Sequence, residues 1–236
     1  MNYDNPAARL LALLEKGKAQ PGTAKCRAVW EELLEIQGDD ALLMSRVGKA
    51  MELTQLTVEA IKDASPEAGD TWSHWSSQVN AAFMVQNMHA TWDTFINNID
   101  PHTIAYLRMS SSLLQARSNT KLIAGSDLAS VRTTLDGLSK EVLDSGESSE
   151  VKKYVIRSIR QIITAIDEYR LGGALPVLDA IEAAVGHVVV DKEYKSFLVN
   201  SELGKRLLDT LSATANLVTL AVGLPQLSQA IALLTN

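Results

Sequence analysis

Apolar side chains recur every three or four positions along nearly the whole of this 236-residue chain, and that spacing limits what it can fold into. An α-helix completes a turn in 3.6 residues, so such a repeat gathers the apolar groups on one face that must be buried. Start and stop signals punctuate the pattern. Asn5-Pro6 and Asp100-Pro101 each pair a capping side chain with proline at the first helical position. Gln20-Pro21-Gly22, Gly38-Asp39-Asp40 and Ser65-Pro66-Glu67-Ala68-Gly69 read as stops, with Thr23, Asp39 and Asp70 as the caps that follow them. The expected fold is all-α, a multi-helix bundle of about nine to eleven helices.

One helix is expected to be central, near 70–99. At 100° per residue, Trp72, Trp75, Val79, Phe83 and Ala90 fall on one face. Val85, Met88, Trp92, Phe95, Ile96 and Ile99 fall on another, roughly 140° away. Two apolar stripes on one helix imply neighbours on both sides, either two layers of core or one core face and one partner face. Three of the four tryptophans lie here, and tryptophan serves both cores and interface anchors.

Further on, Ser126-Asp127 starts a helix with Leu128, Val131, Leu135, Leu138 and Val142 inward. Asp144-Ser145-Gly146-Glu147-Ser148-Ser149 is the most linker-like run. The expectation is one helical domain over 1–236, with 144–149 as the place where two sub-lobes would divide. The cleanest amphipathic pattern follows: Val151, Tyr154, Val155, Ile159, Ile162, Ile163, Ile166 and Tyr169 on one side. Lys153, Arg157, Arg160 and Arg170 lie opposite, with Asp167 and Glu168 nearby, a stripe that suits an acidic partner but is more simply a solvated face. Between 187 and 199 the run His187-Val188-Val189-Val190 leaves a short β-hairpin as an alternative to helix.

After Asp209 no side chain is charged. Leu217 and Leu220 belong to this apolar tail, which suits a bundle interior, a contact with another chain, or membrane insertion by 205–236. Gly223-Leu224-Pro225 breaks the stretch well short of the ~20 apolar residues a spanning helix needs, so membrane contact is the weaker alternative.

Chemistry leaves little trace. The four histidines, His74, His89, His102 and His187, have no metal-ligand spacing; His89 and Asp93, one turn apart, come nearest. Gly-Lys at 17–18, 48–49 and 204–205 lacks the flanking residues of a phosphate loop. No cofactor is implied. The net charge of −6 is spread evenly, with 11 basic and 14 acidic groups in residues 1–125 and the same again in 126–236. That balance argues against nucleic acid as a partner. A single cysteine, Cys26, and a start Met-Asn-Tyr-Asp without signal-peptide character suit a cytoplasmic home.

These features favour a non-enzymatic binding or scaffolding protein that acts through protein–protein contacts or self-association. Trp72, Trp75, Trp92, Phe95, Leu217 and Leu220 are the candidate contact residues. A small-ligand binder or enzyme with a site near the tryptophan-rich helix is the remaining alternative.

Overall fold

The structure, a computed structural model, describes residues 4–118 and 120–223. It is all-α: among the described residues there are twelve α-helical segments, two short 3-10 turns and no β-strand. The described residues form two compact units that divide between positions 119 and 120.

The first unit holds α1 (Pro6–Lys18), α2 (Cys26–Leu33), α3 (Asp40–Ala64), a 3-10 turn (Pro66–Ala68), α4 (Ser73–Val85), α5 (Asp93–Ile96) and α6 (Pro101–Arg117). α1 packs against α3 and α6, and α4 packs against the same two. The capping side chains do what their chemistry allows. Asn5 accepts from the Ala8 amide, Asp39 from Leu42 and Asp100 from Thr103, each satisfying a donor that the first helical turn leaves free. Thr23 and Asp70 do not cap as expected. α2 and α4 start later, behind Lys25 and Trp72, without a side-chain cap.

The expected central helix over 70–99 is not continuous. α4 ends at Val85, Gln86 is extended with ψ 147°, and α5 resumes only at Asp93. The intervening backbone pairs elsewhere. Cys26 N–H donates to Ala90 O at 3.0 Å, Trp92 N–H to Ala24 O at 2.7 Å, and Asp93 N–H to Gly22 O at 2.9 Å. These bonds replace the helical ladder that 86–92 gives up. Trp75, Val79 and Phe83 on α4 and Trp92, Phe95, Ile96 and Ile99 beyond the break are buried, whereas Val85, expected on the second stripe, ends α4 and is 59% exposed. Trp30 is the meeting point of the two segments, stacked on Phe83 at 5.7 Å and edge-on to Trp92 and Phe95 at 5.2 and 5.0 Å.

The second unit holds α7 (Gly125–Asp144), α8 (Ser149–Asp167), α9 (Tyr169–Gly172), α10 (Leu175–Gly186), a 3-10 turn (His187–Val189), α11 (Lys192–Asn200) and α12 (Glu202–Val222). α7 packs on α8, α8 on α10, α10 on α12 and α12 on α7, closing a four-helix ring, with α11 laid against α12. Leu135, Val142, Val155, Ile162, Val177, Ile181, Tyr194 and Val218 are fully buried at its centre. The 144–149 run is a turn between α7 and α8, two helices of this same unit that pack on each other.

Residues 187–199 are helical, not a hairpin. Only Val188 of the valine triplet is buried, and Asp191 caps α11 by accepting from the amides of Glu193 and Tyr194. α12 stops at Gly223, whose φ of 74° closes it in the left-handed conformation that glycine adopts without strain. Residues 224–236 of the apolar tail lie outside the described residues. Among the described residues no helix is long and apolar enough to cross a membrane.

Candidate docking groove

The six residues expected to make contacts are spread over very different settings. Trp75, Trp92 and Phe95 have no exposed surface, so none can meet a partner or a ligand while its unit is folded. Trp72 is half-buried beneath the Lys62 ammonium, which stands 5.4 Å from its ring. Leu217 is partly buried against the core of the second unit, and Leu220, one helical turn on, is 76% exposed.

The histidines are equally dispersed. His74 meets Asp100 at 3.1 Å and His187 meets Asp191 at 3.4 Å. His102 stacks on Tyr106, and His89 is exposed in the turn between α4 and α5. His89 and Asp93 therefore do not share a helix face. Among the described residues no group of three or more His, Cys, Asp or Glu could hold a metal ion.

Helix α8 borders an open surface groove. Ser148 caps it by accepting from Val151, and its apolar stripe from Val151 to Ile166 is buried against α7 and α10. Sequence spacing then dictates what faces outward. Lys153, Arg157 and Arg160 stand at i, i+4 and i+7, in one row about 10 Å long. They border an open groove of about 750 Å³ that also includes Leu143, Lys152, Ile156, Gln161 and Thr164. Its lining carries four basic side chains and no acidic one. Ile156 is buried at its edge, whereas Leu143, near the end of α7, is 53% exposed. The methylene stems of the basic residues extend this apolar surface while their heads stay in water.

Lys152 is committed to the fold. Its ammonium donates to the carbonyls of Leu143 and Ser145, tying down the end of α7. Lys153, Arg157 and Arg160 have no ion-pair or hydrogen-bond partner among the described residues. Other arginines of this unit are matched: Arg132 binds Asp167 and Asp136, and Arg206 binds Glu141. The Arg206 guanidinium holds the Glu141 carboxyl below the usual carboxylate range. A row of unmatched cations is thus a local departure in an acidic chain whose charges are otherwise often paired.

The cations were legible in the sequence as a stripe. The absence of facing acids and the exposure of Leu143 were not, since both depend on what α7 brings alongside. Set against protein-family models, curated proteins and solved structures, the chain has no significant match.

Proposed function

We propose that this is a non-enzymatic binding or scaffolding protein whose groove on α8 receives an acidic helical segment of a protein partner. The observation that carries this reading is the row Lys153, Arg157, Arg160, which no acid matches among the described residues and which stands beside the exposed Leu143. A carboxylate row at the same helical spacing would neutralise the cations while an adjacent apolar side chain covers Leu143. A nucleic-acid backbone is a poorer fit. Three cations give few phosphate contacts, the centre of the groove is apolar, and the chain as a whole is acidic.

Three exposed ion pairs at about 0.2–1 kcal/mol each, with about 2 kcal/mol for covering Leu143, amount to at most about 5 kcal/mol, so docking is transient, with a dissociation constant no tighter than about 100 µM. The test uses a fluorescent amphipathic helical peptide with Glu at i, i+4 and i+7 beside one Leu, followed by anisotropy. Binding should weaken at least about tenfold with Lys153→Glu, Arg157→Glu and Arg160→Glu together, and should weaken in 0.5 M salt, well above the ~0.15 M at which charges are already screened beyond about 8 Å. Binding that ignores the charge reversal, or a preference for single-stranded DNA over the peptide, would overturn the proposal.

A further inference from the structure

We infer that the occupant of the α8 groove is helix α10 of a second copy of this chain. The inference rests on the groove being a docking site for an acidic helix, and it names that helix.

The supporting feature is a second row on the same unit. α10 exposes Leu175, Asp179 and Glu182, at i, i+4 and i+7, the spacing of Lys153, Arg157 and Arg160 on α8. Leu175 is 56% exposed, and Asp179 and Glu182 have no ion-pair or hydrogen-bond partner among the described residues. Two unmatched rows of opposite sign thus stand on one unit, each with an exposed leucine at its end. The orientation follows from the leucines. The Leu143 carbonyl accepts from Lys152, next in sequence to Lys153, and Leu175 opens α10. Laid parallel, with Leu175 against Leu143, α10 brings Asp179 opposite Arg157 and Glu182 opposite Arg160.

α8 and α10 pack on each other within the unit through their apolar faces, so their outward rows cannot meet in one copy. They can meet between copies. The contact joins two different faces, so it is head-to-tail, and each pairing leaves one groove and one α10 free. Growth then continues until the assembly closes into a ring or remains an open chain.

The experiment is sedimentation velocity on the full chain, from about 10 µM to 1 mM to bracket a contact of about 100 µM. The mean mass should rise with concentration and fall in 0.5 M salt, a readout that needs no variant. Arg157→Glu with Arg160→Glu should give a monomer, as should Asp179→Arg with Glu182→Arg. All four changes in one chain should restore association, because both rows have then changed sign. A wild-type monomer at every concentration would overturn the inference, as would a mass unmoved by the α10 changes or a four-fold variant that stays monomeric while folded by circular dichroism. The docking reading fails separately. If the acidic peptide still binds the groove while the wild type stays monomeric, the groove serves another protein and α10 is not its ligand.

Discussion

The indole N–H of Trp92 donates to the backbone carbonyl of Gly17 at 2.8 Å, a buried bond between residues 75 positions apart. A Cβ at residue 17 would stand 3.0 Å from the Cζ2 of the same indole. Glycine there does two things: it leaves room for the ring, and it keeps its carbonyl reachable at the end of α1. The bond fastens α1 to the turn before α5, where the backbone also pairs with residues 22 and 24.

Trp92→Phe therefore removes a buried hydrogen bond and leaves a void beside α1. The expected loss is about 2–3 kcal/mol. Gly17→Ala, which in an open helix would gain up to about 1 kcal/mol, should instead cost about 1 kcal/mol by overpacking against the ring. Urea midpoints with an unchanged denaturant slope would check both. A stabilised Gly17→Ala variant would contradict the packing argument.

The glycines of the second unit make a sharper contrast. A Cβ at Gly204, in the first turn of α12, would lie 2.0 Å from the carbonyl oxygen of Phe197 and 2.7 Å from the Cα of Leu198. Those are backbone atoms and cannot swing aside. Gly204→Ala should cost about 3 kcal/mol or more, or force α11 and α12 apart. At Gly137, inside α7, a Cβ meets nothing within 4 Å. Gly137→Ala should stabilise by about 0.5–1 kcal/mol. Thermal melts of the two variants should move in opposite directions.

What could be read from the chain was what the chain decides locally. Asn5, Asp39 and Asp100 mark helices because each cap satisfies donors within three residues. The apolar stripe of α8 needed only its own spacing. Residues 86–92 carry no local sign of the break, because no proline or glycine interrupts α4; what ends it is pairing with Ala24 and Cys26, some sixty residues earlier. The 140° offset between the two tryptophan stripes was the sign of that interruption, although one helix between two layers gives the same offset. The groove was half legible. Its cations follow from spacing, but their lack of partners is a property of the neighbouring helix.

Acid sensitivity should trace to the caps. Asp100 is held below the usual carboxylate range first by the Thr103 backbone N–H, with further help from Thr103 and His74 side chains. Asp191 is held down first by the Tyr194 amide and then by that of Glu193. A carboxyl whose folded pKa lies below its unfolded value stabilises the fold above about pH 4, and that stabilisation is lost as pH falls through the folded value. Asparagine caps as well but does not titrate there. Asp100→Asn with Asp191→Asn should leave stability near neutrality little changed and flatten its decline below pH 4. An unchanged acid limb in pH-dependent urea unfolding would refute this assignment.

Cys26 is fully buried at the start of α2, with its Sγ near Gln86 and Met88. Burial raises the thiol pKa, and hydrogen bonds with Thr94 and Trp30 offset this only in part. The thiolate is the reactive form, so the folded protein should resist disulfide reagents at pH 8 and react fully once unfolded. Because the folded value is raised, its contribution to stability is present below about pH 8.5 and declines as pH rises further. Rapid labelling of the native protein would show that the segment 86–92 opens readily.

Tyr194 should gain from losing its hydroxyl. The side chain is fully buried in the second unit, edge-on to Tyr154 at 4.8 Å and near His187 at 5.6 Å. Its hydroxyl has no hydrogen-bond partner among the described residues, and burial drives the phenol well above its ordinary pKa. A buried hydroxyl without a partner costs about 1–3 kcal/mol relative to one left in water. Tyr194→Phe keeps the ring and its edge contacts while removing that penalty, and the gap left by one oxygen is small. The variant should be as stable as the parent or more so, by about 1 kcal/mol. A loss of more than that on urea unfolding would mean that the hydroxyl is bonded in solution, most simply to a buried water, and that Tyr194 anchors a polar contact inside the four-helix ring.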